Sequence, residues 1–507
     1  GFALAVTFID AGNIGGGGFM TIKIDQEVAF LDYREKAPLT AHKNMYLNDQ
    51  GDVIDNITLI GGQAAGVPGT VAGFWEAHQR FGQLPWKDLV QPAIELADKG
   101  FMPAPILVES IHSMEQRFEG KTNFNDYFNS ISSDRLFRQP ELANTLRRIA
   151  EFGADDFYRG ETAALIVQQM EKSNGLISLE DLDAYAAVWR APVRAGWRDY
   201  EIISAPPPSS GGFAIVQLLK MKDYLSELFE GVEHNSAQYI HLVAEMEKRV
   251  FADRAEYLGD PDFFDIDIDA LIDDDYLARR AAEVNPKAIS VLDSINPGLE
   301  SPNTTHYSIV DQWGNAVSNT YTINWDYGSG VVVGGAGFLL NNEMDDFSAK
   351  PGTPNIYGVV GSVANEIQPG KRMLSSMSPT IVLKDGEVEM VLGTPGGSTI
   401  FTTVFQVITN ILDFGMSVEE AIGIARFHHQ LVPPDLITYS GFTIDQHLPK
   451  VTVGDLSEKG YRSEPHSFEY GDVQIIVRSG DSWIAASDPR DRGQSRVFEV
   501  TTKTRDR

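Results

Sequence analysis

The rhythm of hydrophobic and polar positions changes part-way along the chain. In KDLVQPAIELADKG (87–100), Leu89, Ala93, Leu96 and Ala97 recur at helical spacing, and Gly100 stands where a glycine ends a helix. SLED at 178–181 has the spacing of a capping box. Residues 236–258 keep a 3.6-residue period that predicts a long helix, and helices are predicted at 402–414 and 417–426. From residue 304 the dominant period becomes two. HYSIV, AVSNTYTIN, GVVVGG, PTIVLKDG, EVEMVLG and DVQIIVRS all read as strands. A helix-rich part followed by strands with helices among them predicts a layered α/β or α+β fold. No internal repeat or low-complexity linker divides it.

One pair of predicted strands has a definite register. His306–Val310 and Ala316–Asn324 flank DQWGN, whose Gly314 suits a turn. A five-residue loop sets Val310 opposite Ala316, hence 308 opposite 318, 306 opposite 320 and Thr304 opposite Thr322. Ser318, Thr320, Thr322 and Asn324 then share a face, and a slip of one residue would reverse it. The arrangement gathers hydroxyls and an amide around Thr304. On spacing alone, an ordinary strand edge explains this better than a nucleophile does, because strands favour threonine.

Composition narrows the classes. With 43% hydrophobic and 22% charged residues the chain is globular. A net charge of −30 disfavours nucleic acid and anionic membranes as partners. The absence of cysteine excludes disulfides, thiol catalysis and cysteine–metal sites. No apolar run reaches the length of a membrane span. The apolar opening GFALAVTFIDAG reads as a truncated start, with any signal segment upstream.

Several tempting motifs fail on chemistry. GNIGGGGF lacks the GK[ST] of a phosphate loop. DIDIDALIDDDY has Ala270 where a calcium loop needs glycine, and Tyr276 where it needs glutamate. His428 and His429 have no ligand partners at metal spacing, so neither metal nor cofactor is expected.

NTTHYSIVDQWGNAVSNTYTIN, FLLNNEMDDFSAKPG, RMLSSMSPT and GTPGGS together resemble the γ-glutamyltranspeptidase family. LDYREKAP, GVPGTVAGF, APPPSSGG, YLGDPDF, ARFHHQ and ASDPR extend the resemblance from about residue 10 to 490. It implies a four-layer αββα sandwich of the N-terminal-nucleophile hydrolase type. It also implies a precursor that cuts itself between Asn303 and Thr304. The products are a large subunit (1–303) and a small one (304–507) that stay together as one unit. Thr304 becomes a nucleophile whose own α-amino group, with an ordinary pKa of roughly 7.7–8.0, is the base. His306 competes for that role, but two residues along a strand it reads as a packed imidazole.

The other site residues follow from the same resemblance. Arg34 would fork onto the substrate's α-carboxylate with Ser375 and Ser376. Asn324, Glu343 and Asp346 would take its ammonium. Gly396 and Gly397 would donate backbone N–H groups to the oxyanion, and Thr322 would contact the nucleophile. Tyr357 would gate the pocket from a lid within 348–372. Out of context each reads more plainly: Arg34 as a surface ion pair, NNEMDDF as an acidic turn, the serines as a loop, PGG as a turn.

The expected activity is γ-glutamyl transfer from glutathione and related compounds to water, amino acids or dipeptides, with no nucleic-acid partner. A glutaryl or cephalosporin acylase of the same fold is the nearest alternative. A non-catalytic γ-glutamyl binder is a more distant one. The resemblance also suggests a periplasmic or secreted protein.

Overall fold

The threonine hairpin forms in the register that its five-residue turn demands. Thr304 pairs with Thr322, His306 with Thr320, Ser308 with Ser318 and Val310 with Ala316. Asp311 N–H and Asn315 C=O close the loop at 3.0 Å, and Gly314 takes φ +81°. These features come from a computed structural model that describes residues 1–291, 304–350, 363–440, 447–466, 470–490 and 493–499.

The strands are β1 (Gly17–Ile24), β2 (Glu27–Tyr33), β3 (Val188–Arg190), β4 (Val193–Trp197), β5 (Tyr200–Ser204), β6 (Thr304–Val310) and β7 (Ala316–Thr322). They continue as β8 (Thr380–Lys384), β9 (Glu387–Gly393), β10 (Arg426–His428), β11 (Leu436–Ser440), β12 (Arg462–Pro465), β13 (Gln474–Ser479) and β14 (Ser482–Ser487). One five-stranded sheet runs β3-β2-β1-β7-β6, and a six-stranded sheet runs β14-β13-β9-β8-β5-β4. A small third sheet is β10-β11-β12. The hairpin thus completes a sheet begun some 300 residues earlier, with β6 at its edge.

Alternation along the strands builds the layers. In the six-stranded sheet, Ile202, Val382 and Met390 face helices Gly211–Tyr224, Ala237–Tyr257 and Thr399–Leu412. Their neighbours Ile203, Ile381 and Val391 turn inward to meet Ala316 of the other sheet. On the far side, Met20, Ile22, Leu31 and Tyr321 pack on helices Thr70–Phe81, Trp86–Lys99, Pro140–Phe152 and Glu161–Ser173. The result is helix, sheet, sheet, helix: the four-layer αββα sandwich. Among the described residues, no helix is long and apolar enough to cross a membrane.

The glycine run GNIGGGGF leads into β1 against the hairpin. β1 pairs with β7, bringing Gly17 opposite Thr322. A Cβ at Gly16 would lie 2.0 Å from the Thr322 carbonyl oxygen, so this approach requires glycine.

Two sequence expectations need correction. GVVVGG is not a strand: Val333 N–H bonds to Phe338 C=O and Leu340 N–H to Val331 C=O, forming a tight loop. Gly330, Gly335 and Gly337 carry its positive φ angles. Helix Trp86–Lys99 ends at Gly100 as predicted, but its buried face is Val90, Ala93, Ile94 and Ala97, while Leu89 is exposed. Helix Ala237–Tyr257 buries charged residues as well as apolar ones, so its polar positions do not form a solvated face. Other expectations hold. Ser178 and Asp181 form the capping box. In the acidic run, Asp267 and Asp273 cap helix starts by accepting backbone N–H bonds.

Candidate active site

Thr304 is the first residue of β6 and is 8% exposed. Its hydroxyl donates to Thr322 Oγ1 at 3.4 Å. Thr322 Oγ1 also accepts the Asn324 backbone N–H at 2.7 Å. The strand ends at Thr322, so Asn324 does not continue the hairpin's polar face as strand alternation predicts. It adopts φ +74° instead, and its side-chain amide donates to Asn342 C=O at 3.0 Å. This left-handed turn brings the chain from the nucleophile's neighbour toward the acidic motif.

His306 is not placed as a base for Thr304. Its ring bridges Thr320 Oγ1 at 2.8 Å and Ser308 Oγ at 3.0 Å. It packs so closely under Gly393 that a Cβ there would sit 2.3 Å from the ring. Burial lowers its pKa to about 3, so the ring is neutral near pH 7. Two consequences follow for His306→Gln. Turnover should survive to within about tenfold, since a base would be worth about 10²–10⁴. Acid sensitivity should fall. A histidine depressed from about 6.5 in the unfolded chain stabilises fully above that pH, and the contribution is lost as pH drops toward 3. The slope is about 1.4 kcal/mol per pH unit for one proton. Urea unfolding of uncut Thr304→Ala chains with and without His306→Gln, between pH 4 and 7, should differ by that slope. Parallel curves would contradict the assignment.

Gly396 and Gly397 lie just before helix Thr399–Leu412, with φ of +138° and +54°. Positive φ there turns the backbone into the helix start, where N–H groups and the helix dipole favour negative charge. The loop is fastened from behind. Ser398 Oγ donates to Gln430 Oε1 at 2.6 Å, and Thr394 Oγ1 accepts Asp472 N–H at 2.8 Å. His428 joins the same cluster through Thr402 Oγ1 at 3.1 Å and Gln430 Oε1 at 3.1 Å. ARFHHQ therefore supports the glycine loop. A Cβ at Gly396 would meet Thr399 Oγ1 at 2.5 Å. Gly396→Ala should lower kcat about 10²–10³-fold with little change in KM, as loss of an oxyanion donor does. An unchanged kcat in steady-state assays would remove this loop from the chemistry.

Arg34 is buried, and carboxylates surround its guanidinium. Nη1 lies 2.7 Å from Glu343 Oε2 and 3.5 Å from Glu35 Oε2, while Nη2 pairs with Asp346. Nε donates to Met373 C=O at 3.4 Å, at the start of the serine motif. Burial opposes the Arg34 charge, but Glu343, Asp346 and Glu35 outweigh it and hold the pKa above the ordinary value. Burial pushes Glu35 up to about 8 and raises Glu343 and Asp346, against the pull of Arg34. The surface ion pair that LDYREKAP suggests in isolation is thus a buried cluster. The two halves of the expected recognition set touch each other directly.

The serine pair adjoins the same cluster. Asn365 links them, donating to Asp346 C=O at 2.7 Å and accepting Leu374 N–H at 3.0 Å. Ser375 Oγ accepts Met377 N–H at 3.1 Å. Ser376 Oγ accepts from Arg254 Nη2 at 3.3 Å. Arg254 and Glu35 escaped the sequence reading. Glu35 sat beside Arg34 in the motif, so adjacency was a usable signal. Arg254 lay in a charged stretch of a long helix, where nothing separates a buried cation from a solvated one. Asn303 and Tyr357 lie outside the described residues.

Two stacked sheets between helix layers, with a buried threonine opening an edge strand, are the arrangement of the N-terminal-nucleophile hydrolase class. Comparison with known proteins makes this specific. Residues 1–498 match the Gamma-glutamyltranspeptidase family, and the chain belongs to that family. It is 56% identical over 498 residues to the glutathione hydrolase proenzyme of Pseudomonas aeruginosa, covering 98% of this chain and 89% of that one. The gamma-glutamyltranspeptidase from Pseudomonas nitroreducens complexed with L-DON aligns at TM-score 0.56 and 55% identity, over 57% of this chain and 86% of that chain. The cephalosporin acylase of Bacillus halodurans aligns at TM-score 0.82 over 99% of this chain and 90% of that one, at 23% identity, a likeness of fold.

Proposed function

We infer that this chain is made as a precursor, cuts itself before Thr304 and then transfers γ-glutamyl groups from glutathione and related donors. Family membership makes it a γ-glutamyl-transfer enzyme with glutathione hydrolase activity. The residue roles are those that resemblance to the family implies. In the precursor, Thr304 Oγ adds to the Asn303 carbonyl carbon, and the C–N bond breaks as the nitrogen takes a proton. Water hydrolyses the resulting ester, leaving a carboxylate at 303 and a free amine on Thr304. That amine then accepts the Thr304 hydroxyl proton as Oγ attacks the substrate's γ-carbonyl. Gly396 and Gly397 N–H groups hold the oxyanion, and Thr322 orients the hydroxyl. The leaving amine departs with the proton. Water or an acceptor amine then attacks the ester and frees Thr304. Subunits 1–303 and 304–507 stay together because β6 and β7 complete the sheet that β1 and β2 begin.

One observation carries the substrate reading. A buried guanidinium packed against Glu343 and Asp346 offers both charges that an α-amino acid head needs. A glutaryl group has no ammonium to meet those carboxylates. Rates on γ-glutamyl-p-nitroanilide should therefore exceed those on glutaryl-p-nitroanilide by at least about 100-fold. The reverse order would make the chain an acylase, and no turnover of either would make it a binding protein. A periplasmic or secreted location is proposed on family resemblance. Activity in a periplasmic or culture fraction supports it, and activity confined to the cytoplasmic fraction refutes it.

A further inference from the structure

We propose that Arg254 is a second guanidinium of the γ-glutamyl site, acting through Ser376 to set selectivity for donors with a free α-carboxylate. This rests on the function proposed above and on the role that the family resemblance implies for Ser375 and Ser376 in holding that carboxylate. Arg254 projects from helix Ala237–Tyr257 and is 5% exposed. Its Nε donates to Ser210 Oγ at 3.1 Å and its Nη2 to Ser376 Oγ at 3.3 Å. Ser210 is itself locked to the serine motif: its N–H and hydroxyl reach Ser375 C=O at 2.8 and 3.1 Å. Ser209 Oγ donates to Met377 C=O at 2.7 Å. APPPSSGG and MLSSMSP are thus zipped together, with a buried cation at one end.

Charge explains why a second cation belongs here. Both terminal nitrogens of Arg34 already face carboxylates: Nη1 meets Glu343 and Glu35, and Nη2 meets Asp346. Arg34 is thus already held by its acidic partners, and its charge is shared with them when a substrate carboxylate enters. Arg254 reaches Asp346 electrostatically and supplies positive charge on the serine side. With its oxygen accepting from Arg254, the Ser376 hydroxyl has its proton directed away from the guanidinium, able to donate to a carboxylate. Arg254 is a positioning residue: it organises the hydroxyl and the local field rather than the reacting atoms.

The test compares two donors that differ only in the α-carboxylate, γ-glutamyl-p-nitroanilide and 4-aminobutanoyl-p-nitroanilide. In processed Arg254→Gln, kcat/KM on the first should fall about 100-fold, mainly through KM, as for loss of a buried charge-assisted contact. On the second it should change by less than about threefold. Arg254→Lys should recover about tenfold, because a point charge replaces a fork only in part. Equal losses on both donors would mean a merely structural arginine and would overturn the proposal, as would no loss. If Arg254→Gln fails to fold or process, Ser210→Ala removes one acceptor that aims the guanidinium. It must then give the same selective loss at about three- to tenfold, and a non-selective effect overturns the idea. Arg34→Lys, assayed alongside, separates the two levels. If it discriminates and Arg254→Gln does not, only Arg254 is misassigned. If neither does, the carboxylate pocket as a whole is misassigned.

Discussion

Thr304→Ala stays a single full-length polypeptide on prolonged incubation and turns over no γ-glutamyl donor. Both losses have one physical cause. The hydroxyl is the attacking group for the Asn303–Thr304 bond and later for the substrate. Without the first attack, no free amine appears to serve as base. Because the side chain is buried beside Thr322 at a strand start, removing one hydroxyl leaves the sheet pairing intact, so the variant folds. A loss of at least about 10⁴ in kcat/KM is expected, the scale seen when a nucleophile that works as part of a unit is removed. Thr304→Ser keeps the hydroxyl and should keep both activities, more slowly. Denaturing gels and anilide assays on the purified variants read both outcomes. A cleaved or active Thr304→Ala would remove Thr304 from the mechanism.

Arg34→Lys gives the second large effect, and it separates binding from chemistry. The guanidinium touches Glu343, Glu35 and Asp346 at once and bonds the Met373 carbonyl. An ammonium is a point charge and cannot keep that geometry. KM for γ-glutamyl donors should rise about 10²-fold or more, in line with about 2–5 kcal/mol for a broken buried charge contact. Self-cleavage, which needs no substrate pocket, should continue. Arg34→Ala goes further: it strands buried carboxylates without a counter-ion, at about 3–5 kcal/mol of stability. Kinetics and thermal melts on the two variants distinguish these effects. An unchanged KM in Arg34→Lys would mean the fork does not bind substrate.

Legibility in the sequence differed sharply between local and distant features. The hairpin's register was legible as far as Thr322: a five-residue turn and a two-residue period leave one register, and it matches from Thr304–Thr322 to Val310–Ala316, whereas the left-handed turn at Asn324 was not foreseen. Helix ends marked by Gly100 and Ser178 were legible for the same local reasons. GVVVGG was not, because valines between glycines suit both a strand and a loop, and positive φ is decided by tertiary packing. The Arg34 cluster was legible only through resemblance. Two of its partners, Glu343 and Asp346, lie about 300 residues along the chain, and buried charges have the same composition as solvated ones. Arg254 shows that limit most clearly. Helix Ala237–Tyr257 buries Glu245, Glu247, Lys248, Arg249 and Arg254 together, so its periodicity does not separate inside from outside. The sequence did not reveal that the hairpin joins strands from the chain's first 35 residues, because sheet order is set by packing across the whole fold.

Intact-mass analysis of the active protein bears most directly on the self-generated amine. Two chains should appear, together equal to the full polypeptide plus one water, with the smaller starting at Thr304. Full catalytic activity from a preparation containing only the unbroken chain would contradict the account.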